Sequence, residues 1–489
     1  MTRKTPRTLW ALLASALPMF MVALDNLVVT SALAKIAEDF GVRQSTLQWV
    51  VNGYVLAFAG LLLAGAALGD RFGRRRVFLL GIALFTVASA ACAISGSVET
   101  LVAARVLQGA GAAMILPVSL TLAVAAVPEK QRNMAVGVWG GVNGLGIALG
   151  PLAGGLVTEY LEWNWIFWIN VPIGLLVLPM ALWAIRESRG DDRSIDLVGG
   201  VLIIGSVVAA VWGIVGAADH GWGSGRALTG IASAAVLFTG FVFYERRVAE
   251  PLVPLRMYRV RAFMLSNVVA LTTHFGVFGS VFFLAQFMQG PMGYTPFEAG
   301  LRTLPWTAVP VVVVPLASLL IERVGGGVLQ ALGSGMQAAA LAWLALTIAP
   351  GMSYGAMIPA FILAGIGMGL VFAANPATVI GSVADAEHNK ASGVNNTVRE
   401  LGGALGIAVL TTLFTHGFTS SRAAGSGTGS QATAAESFTV GTQHALWLGV
   451  VVVAAGVPAA LFIRRALDST ARGTDTTRVT QDSLPAAVD

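Results

Sequence analysis

Asp25 lies deep within one apolar run, residues 9–33, and Arg105 lies within another, residues 101–125. Ionisable groups are costly inside hydrocarbon, and where they occur there they mark ion or proton pathways. A carboxylate so placed can take up a proton on one side of a membrane and release it on the other. A guanidinium cannot shed its proton. Arg105 must therefore meet a carboxylate, a carbonyl or water, or else snorkel to an interface. A third feature sets how closely helices approach. Gly137, Gly146, Gly150 and Gly154 recur at spacings of nine, four and four within the run 135–158, near one helix face. Small residues on such a face admit a neighbouring backbone, and Pro151 adds a kink.

The elements that must position these groups follow from composition. Of 489 residues, 56% are hydrophobic and 11% charged, against about 25% charged in soluble domains. Mean hydropathy is +0.76. These values describe an all-α polytopic membrane protein. Runs long enough to cross a bilayer as helices fall at 9–33, 48–69, 77–97, 101–125, 135–158, 165–185, 197–217, 227–244, 262–289, 299–321, 328–349, 355–382, 396–417 and 443–463, fourteen in all. With an even number, both termini share a side. That side carries 24 Lys and Arg against 5 opposite, so it is expected to be cytoplasmic. Fourteen spans preserve this asymmetry, whereas an odd count scrambles it.

The same distribution accounts for a pI near 9.6 without a nucleic-acid partner, because the charge sits in short loops beside the membrane. Cys92 is the only cysteine, which excludes an intramolecular disulfide and a thiolate metal cluster. The first residues imitate a signal peptide, with Ala14-Ser15-Ala16 as a cleavage-like site. The apolar run continues to Leu33, so an uncleaved first helix is expected.

A weak repeat divides the chain. Leu68-Gly69-Asp70-Arg71-Phe72-Gly73 follows the second run, and Leu320-Ile321-Glu322-Arg323-Val324-Gly325 follows the tenth. Repeated bundles with a site between them are a common transporter plan. The expected organisation is a six-helix bundle at 1–190, two additional helices and a cytoplasmic linker at 191–260, a second six-helix bundle at 261–465, and a disordered cytoplasmic tail at 466–489. The Ser-, Thr- and Gly-rich segment 419–441 is also expected to be disordered.

Several motifs resemble those of the major facilitator superfamily, and of its fourteen-spanner drug:proton antiporters in particular. Gly146 to Gly155 resembles the antiporter motif of the fifth helix, with Gly137, Gly146, Gly150, Pro151, Gly154 and Gly155 at its positions. Asp70, Arg71, Gly73 and Arg74 resemble the cytoplasmic signature between helices 2 and 3. The family's glycine four residues before the aspartate is Ala66 here, with Gly65 one place earlier. Arg105, Gln108 and Gly109 match the fourth-helix motif. The stretch around Asp25 resembles the first helix, with Leu27 and Ala34 where the family has threonine and proline. Residues 163–174 and 391–406 extend the resemblance, with Asn164 where arginine is common.

The resemblance implies a major facilitator fold of two six-helix bundles plus two extra central helices. It implies a proton-coupled exporter of lipophilic drugs or antibiotics working by alternating access. Asp25 and Arg105 would couple the proton. Asp70, Arg71, Gly73 and Arg74 would form a latch to a helix of the other bundle. The glycine face would close the bundle interface. Asn52, Asn143, His274, Gln286, Asn375 and Glu400 are further polar residues that could line a substrate cavity. Asn267, Gln289 and Gln337 are polar residues of the same kind, and interhelical hydrogen bonding is the usual employment of such side chains. Trp49, Trp139, Trp163, Trp165, Trp168 and Trp222 fit interfacial belts.

The expected partners are a lipophilic small molecule and the lipid bilayer, with no nucleic acid, no metal and no cofactor besides the coupling proton. A monomer in the cell membrane is expected. A dedicated transporter of one metabolite or self-made antibiotic is the alternative. A receptor without transport needs neither a buried Asp25 nor the glycine motif. No nucleophile elbow, HExxH, CxxC or P-loop is present in the sequence, which argues against an enzyme.

Overall fold

The computed structural model describes residues 6–42, 44–128, 132–189, 196–248, 251–383, 387–427 and 434–482. Its helices are α1 (Pro6–Phe40), α2 (Gln44–Phe72), α3 (Arg74–Ala93), α4 (Val98–Ala125), α5 (Arg132–Tyr160), α6 (Trp165–Trp168), α7 (Asn170–Ala184), α8 (Leu197–His220), α9 (Gly225–Glu245), α10 (Arg261–Gln289), α11 (Pro296–Thr307), α12 (Val309–Val324), α13 (Gly326–Thr347), α14 (Ile358–Ile380), α15 (His388–Gly427) and α16 (Ala434–Asp482).

Local chemistry sets where these helices start and break. Ser97 and Thr100 form a capping box at α4, and Thr295 and Glu298 form another at α11, where Pro296 occupies the first turn. Asp196 accepts from the Gly199 amide and opens α8. The expected runs 165–185 and 299–321 are each a broken pair, α6 with α7 and α11 with α12. Pro172 and Pro310 fall just after the breaks, where a missing amide cannot continue the ladder.

Among the described residues, twelve spans are long and apolar enough to cross a membrane, or thirteen if α2, bent by 49°, counts as one. The remaining expected run is α5, a 29-residue helix with some side chains outside the described set. The chain is a multi-pass membrane protein.

The first seven helices pack on one another, chiefly α2 on α4, α1 on α5 and α3 on α4. A second set forms from α10 to α16, with α13 on α14 and α16, and α10 on α15 and α16. The two sets meet where α5 packs on α11 and where α2 packs on α15. α8 lies against both α2 and α15, and α9 packs on α8. Gly213 and Gly230 let α8 and α9 touch backbone to backbone.

One expectation of disorder, that for 419–441, is corrected. α15 continues to Gly427 and α16 begins at Ala434, so only 428–433 of the polar segment lies outside the described residues. Phe438 stacks edge-on to Phe414 at 4.8 Å, an apolar anchor that the Ser- and Thr-rich composition hides. α16 is described on to Asp482, with Pro458 inside it. Residues 483–489 lie outside the described set.

Candidate functional site

Asp25 and Arg105 meet in the interior of the first half. Both side chains are fully buried, and Arg105 Nη1 donates to Asp25 Oδ2 at 2.5 Å. This ends the snorkelling reading of Arg105. Its Nε donates to the Val50 carbonyl at 3.1 Å, and its guanidinium lies over the Tyr54 ring at 4.2 Å. The cation is thus held at its edges by carboxylate and backbone carbonyl and on a face by π-electrons.

The second oxygen of Asp25 is also filled. Oδ1 accepts from Gln108 Nε2 and from Asn170 Nδ2, each at 2.9 Å. Gln108 Oε1 in turn accepts from Arg105 Nη1 at 2.8 Å and from the Cys92 thiol at 3.6 Å. Ser89 Oγ accepts from both amides and donates to the Phe167 carbonyl at 2.9 Å. Helices α1, α3, α4 and α7 each supply a member. Gln108 sits one helical turn after Arg105, which puts both on one face of α4. Asn170 lies in the stretch 163–174, whose resemblance assigns it no role of its own. Its role follows from the break before α7, which turns its amide inward. Chain spacing gives no hint of this.

The glycine face packs on α1, directly beside Asp25. A methyl group on Gly146 would stand 2.8 Å from the Phe20 carbonyl, and one on Gly150 would stand 2.8 Å from Leu27 Cβ. One on Gly154 would press on the Val28 carbonyl and Ser31. Gly137 lies on α5 with its surroundings outside the described residues. This corrects the expectation that the face closes the interface between bundles. An adjoining side of α5 does so. Gly155 abuts Pro296 and Phe297, Gly300 abuts Pro151, and Thr307 Oγ1 donates to the Ala148 carbonyl at 3.3 Å. The helical repeat separates the two sides, since Gly155 is one residue, about 100°, beyond Gly154.

The halves are closed at the end away from the termini. There Glu159 accepts from the Phe297 amide at 3.0 Å, and Gln289 Nε2 donates to the Ser31 carbonyl at 3.2 Å. A cavity of about 360 Å³ remains at that end, lined by Ala34, Ala37, Leu47, Gln286, Gln289 and Phe438 among others.

At the opposite end the 70–76 loop is tied within its own half. Arg74 pairs with Asp70 at 2.7 Å, and Arg71 lies over Phe72. Gly73 has φ +113°, and a methyl group there would meet the Glu187 carboxyl carbon at 2.8 Å. Glu187 accepts from the Arg75 amide at 2.9 Å, and Arg74 N donates to the Ser188 carbonyl at 2.8 Å. The expected contact of Asp70 with the other half is absent among the described residues. In this conformation its partner is the arginine four positions on.

The expected cavity residues separate into distinct environments. Asn375 is buried among Ser266, Gln330 and Asn395, with its amide donating at 2.7 Å and 2.9 Å and its carbonyl accepting at 3.0 Å. Asn267 belongs to the same network through Asn395. His274 lies in a second environment. It is buried between Phe278 and Phe372. Its Nδ1 lies 2.9 Å from the Ala270 carbonyl, and its Nε2 accepts from Arg399 Nε at 2.9 Å. Both residues are polar groups consumed by helix packing, which pattern alone does not distinguish from lining residues. Asn52 is buried with no hydrogen-bond partner among the described residues. Gln337 is in the same position. Asn143 is half-buried on α5, and Glu400 is half-buried on α15.

The sequence profile of the Major Facilitator Superfamily matches residues 16–407. The chain is 37% identical over 401 residues to the tetracenomycin C resistance and export protein of Streptomyces glaucescens, covering 82% of this chain and 74% of that one. It is 33% identical over 465 residues to the multidrug efflux pump LfrA of Mycolicibacterium smegmatis, covering 94% and 90%. A bacterial homologue of the human lysosomal transporter Spinster, solved inward-facing and unoccupied, shares the fold with a TM-score of 0.68 at 16% identity, over 95% of this chain and 98% of that one. On the match across its length and on the buried charge pair that its helices assemble, the chain belongs to the Major Facilitator Superfamily.

Proposed function

We propose that the protein is a proton-coupled antiporter that exports lipophilic drugs or antibiotics across the cell membrane by alternating access. The observation that carries this is the Asp25–Arg105 pair, fully buried and braced by Gln108 and Asn170. A proton arriving at Asp25 removes the charge that holds Arg105. Arg105 keeps its own charge, so it must find other acceptors. The local packing therefore has two arrangements, selected by one proton. Asp25 sits on the stretch of α1 that the glycines of α5 grip. A shift of α1 is thus passed to α5, whose other side meets α11.

The resistance and export activities named for the relatives support the same reading. With the Lys- and Arg-rich loops in the cytoplasm, both termini are inside and the chain spans the membrane fourteen times. The state closed at the far end is then the inward-facing one. A driving force of about 180 mV, at about 2.3 kcal/mol per 100 mV, supplies about 4 kcal/mol per proton. That sustains about a thousandfold gradient for a one-to-one exchange.

Ethidium efflux from energised, efflux-deficient cells tests the proposal. Wild type should export, and export should stop with a protonophore and in Asp25→Asn. Protonophore-insensitive export, or an Asp25→Asn variant as active as wild type, overturns it.

A further inference from the structure

The cavity at the end away from the termini, about 360 Å³ in volume, has a wall from each half. Ala34 and Ala37 of α1 and Leu47 of α2 line it from the first half. Gln286 and Gln289 of α10 and Phe438 of α16 line it from the second. A spacing of three puts the two alanines on one side of α1 and the two glutamines on one side of α10. The alanines leave the room, and the glutamines bring two carboxamides to the other wall. Ala34 is exposed, so the cavity is reached from the surface.

Its lining sets what it can hold. No Asp, Glu, Lys or Arg lines it among the described residues. Two charged side chains of the neighbouring turn of α1 are engaged elsewhere. Lys35 Nζ donates to the Thr158 carbonyl at 2.7 Å, and Asp39 accepts from Trp163 Nε1 at 3.0 Å. An ion entering the cavity would lose water and gain no counter-charge from these walls. Small-molecule sites are roughly 300–1,000 Å³, mostly apolar, with a few polar groups that fix orientation. These walls therefore suit an uncharged, mainly apolar molecule with one hydrogen-bonding group.

The place of the cavity gives such a molecule an effect. Its two walls come together only while this end is closed. The same closure is held by Glu159, which accepts from the Phe297 amide, and by Gln289, which donates to the Ser31 carbonyl. Gln289 is thus a closing residue and a wall residue at once. A ligand that needs both walls favours the closed form by its difference in affinity for the two forms. If it binds the closed form alone, ten times its dissociation constant lowers the open population about elevenfold.

We propose that this outer vestibule is a regulatory site for an uncharged apolar molecule arriving from outside, which holds the two halves closed and arrests export. This rests on the alternating-access reading above. The site is separate from the proton site at Asp25.

The probe for the test is 1-aminoanthracene, which is uncharged at neutral pH and carries one amine on a flat apolar body. Its saturable binding to the full chain in lipid nanodiscs is followed by fluorescence, beside that of its trimethylammonium analogue. Wild type should bind the amine one to one, and the charged analogue at least tenfold more weakly. Ala37→Phe fills the cavity from α1 and should weaken binding at least tenfold. Ala34→Phe, at an exposed position where a larger side chain does not disturb the packing of α1, should do the same. Added outside cells at ten times its dissociation constant, the amine should slow ethidium efflux about tenfold in wild type, and both variants should escape this inhibition. Binding unchanged in both variants overturns the proposal, as does equal binding of the charged analogue. Efflux that continues at full rate with the wild-type site filled overturns it too, and leaves the exporter reading standing. Binding that both variants lose, in a wild type that exports no ethidium, supports the site and defeats the exporter reading.

Discussion

Asn170 Nδ2 donates to the same oxygen of Asp25 that receives Gln108 Nε2, both at 2.9 Å. Two neutral amides on one oxygen and a guanidinium on the other fix the carboxylate from both sides. The arrangement sets what must be undone when a proton arrives. A hydrogen bond to a charged group contributes about 1.5–3 kcal/mol. Asn170→Ala should therefore slow proton-driven efflux about tenfold or more while leaving membrane insertion intact. Ethidium efflux normalised to the amount of inserted protein measures it. Wild-type rates in Asn170→Ala would mean that the amide only fills space.

The pair itself makes a sharper prediction. Removing one partner leaves an uncompensated buried charge, at a cost of about 3–5 kcal/mol. Asp25→Asn and Arg105→Gln should each lower the melting temperature in detergent. The double variant should recover much of that loss, because residues in contact do not add. All three should fail to couple export to a proton gradient. Additive losses of stability would show that the two groups do not depend on each other.

Much of this was legible in the chain, for physical reasons that differ by residue. Asp25 and Arg105 announce themselves because charge within apolar runs is rare and costly. Gln108 follows from its place one turn after Arg105. Gly146, Gly150 and Gly154 give a close-packed face by spacing alone, yet spacing does not name the partner helix, and α1 rather than α11 took it. Asn170 and Glu187 were not readable as functional, since each acquires its partner through a fold contact more than a hundred positions away. Asn375 and His274 show a limit of pattern, because a polar residue in an apolar run looks the same whether it lines a cavity or joins helices.

Gly73 tests the loop at the terminal end. Its φ of +113° is open to glycine and strained for other residues, and a methyl group would collide with the Glu187 carboxyl group. Gly73→Ala should cost at least about 1 kcal/mol and free Glu187 from the Arg75 amide. Glu187→Gln keeps the shape and drops the charge that faces Arg76 at 3.7 Å, so it should be milder in thermal stability. A Gly73→Ala protein as stable as wild type would show that this loop relaxes without loss.

Gly150 and Gly144 lie on the same helix and face different surroundings. A methyl group on Gly150 would stand 2.8 Å from Leu27 Cβ, two residues beyond Asp25, whereas one on Gly144 would meet nothing within 4 Å. Overpacking a close contact costs about 1–3 kcal/mol, and here the strain falls on the stretch of α1 that carries the proton site. Gly150→Leu should abolish proton-driven efflux in protein that still inserts, and Gly144→Ala should leave efflux near wild type. The comparison separates a packing requirement at the α1–α5 contact from a general need for glycine in α5. If both variants lose efflux equally, the requirement is flexibility of the whole helix. If neither does, α1 and α5 do not move as one body during the transport cycle.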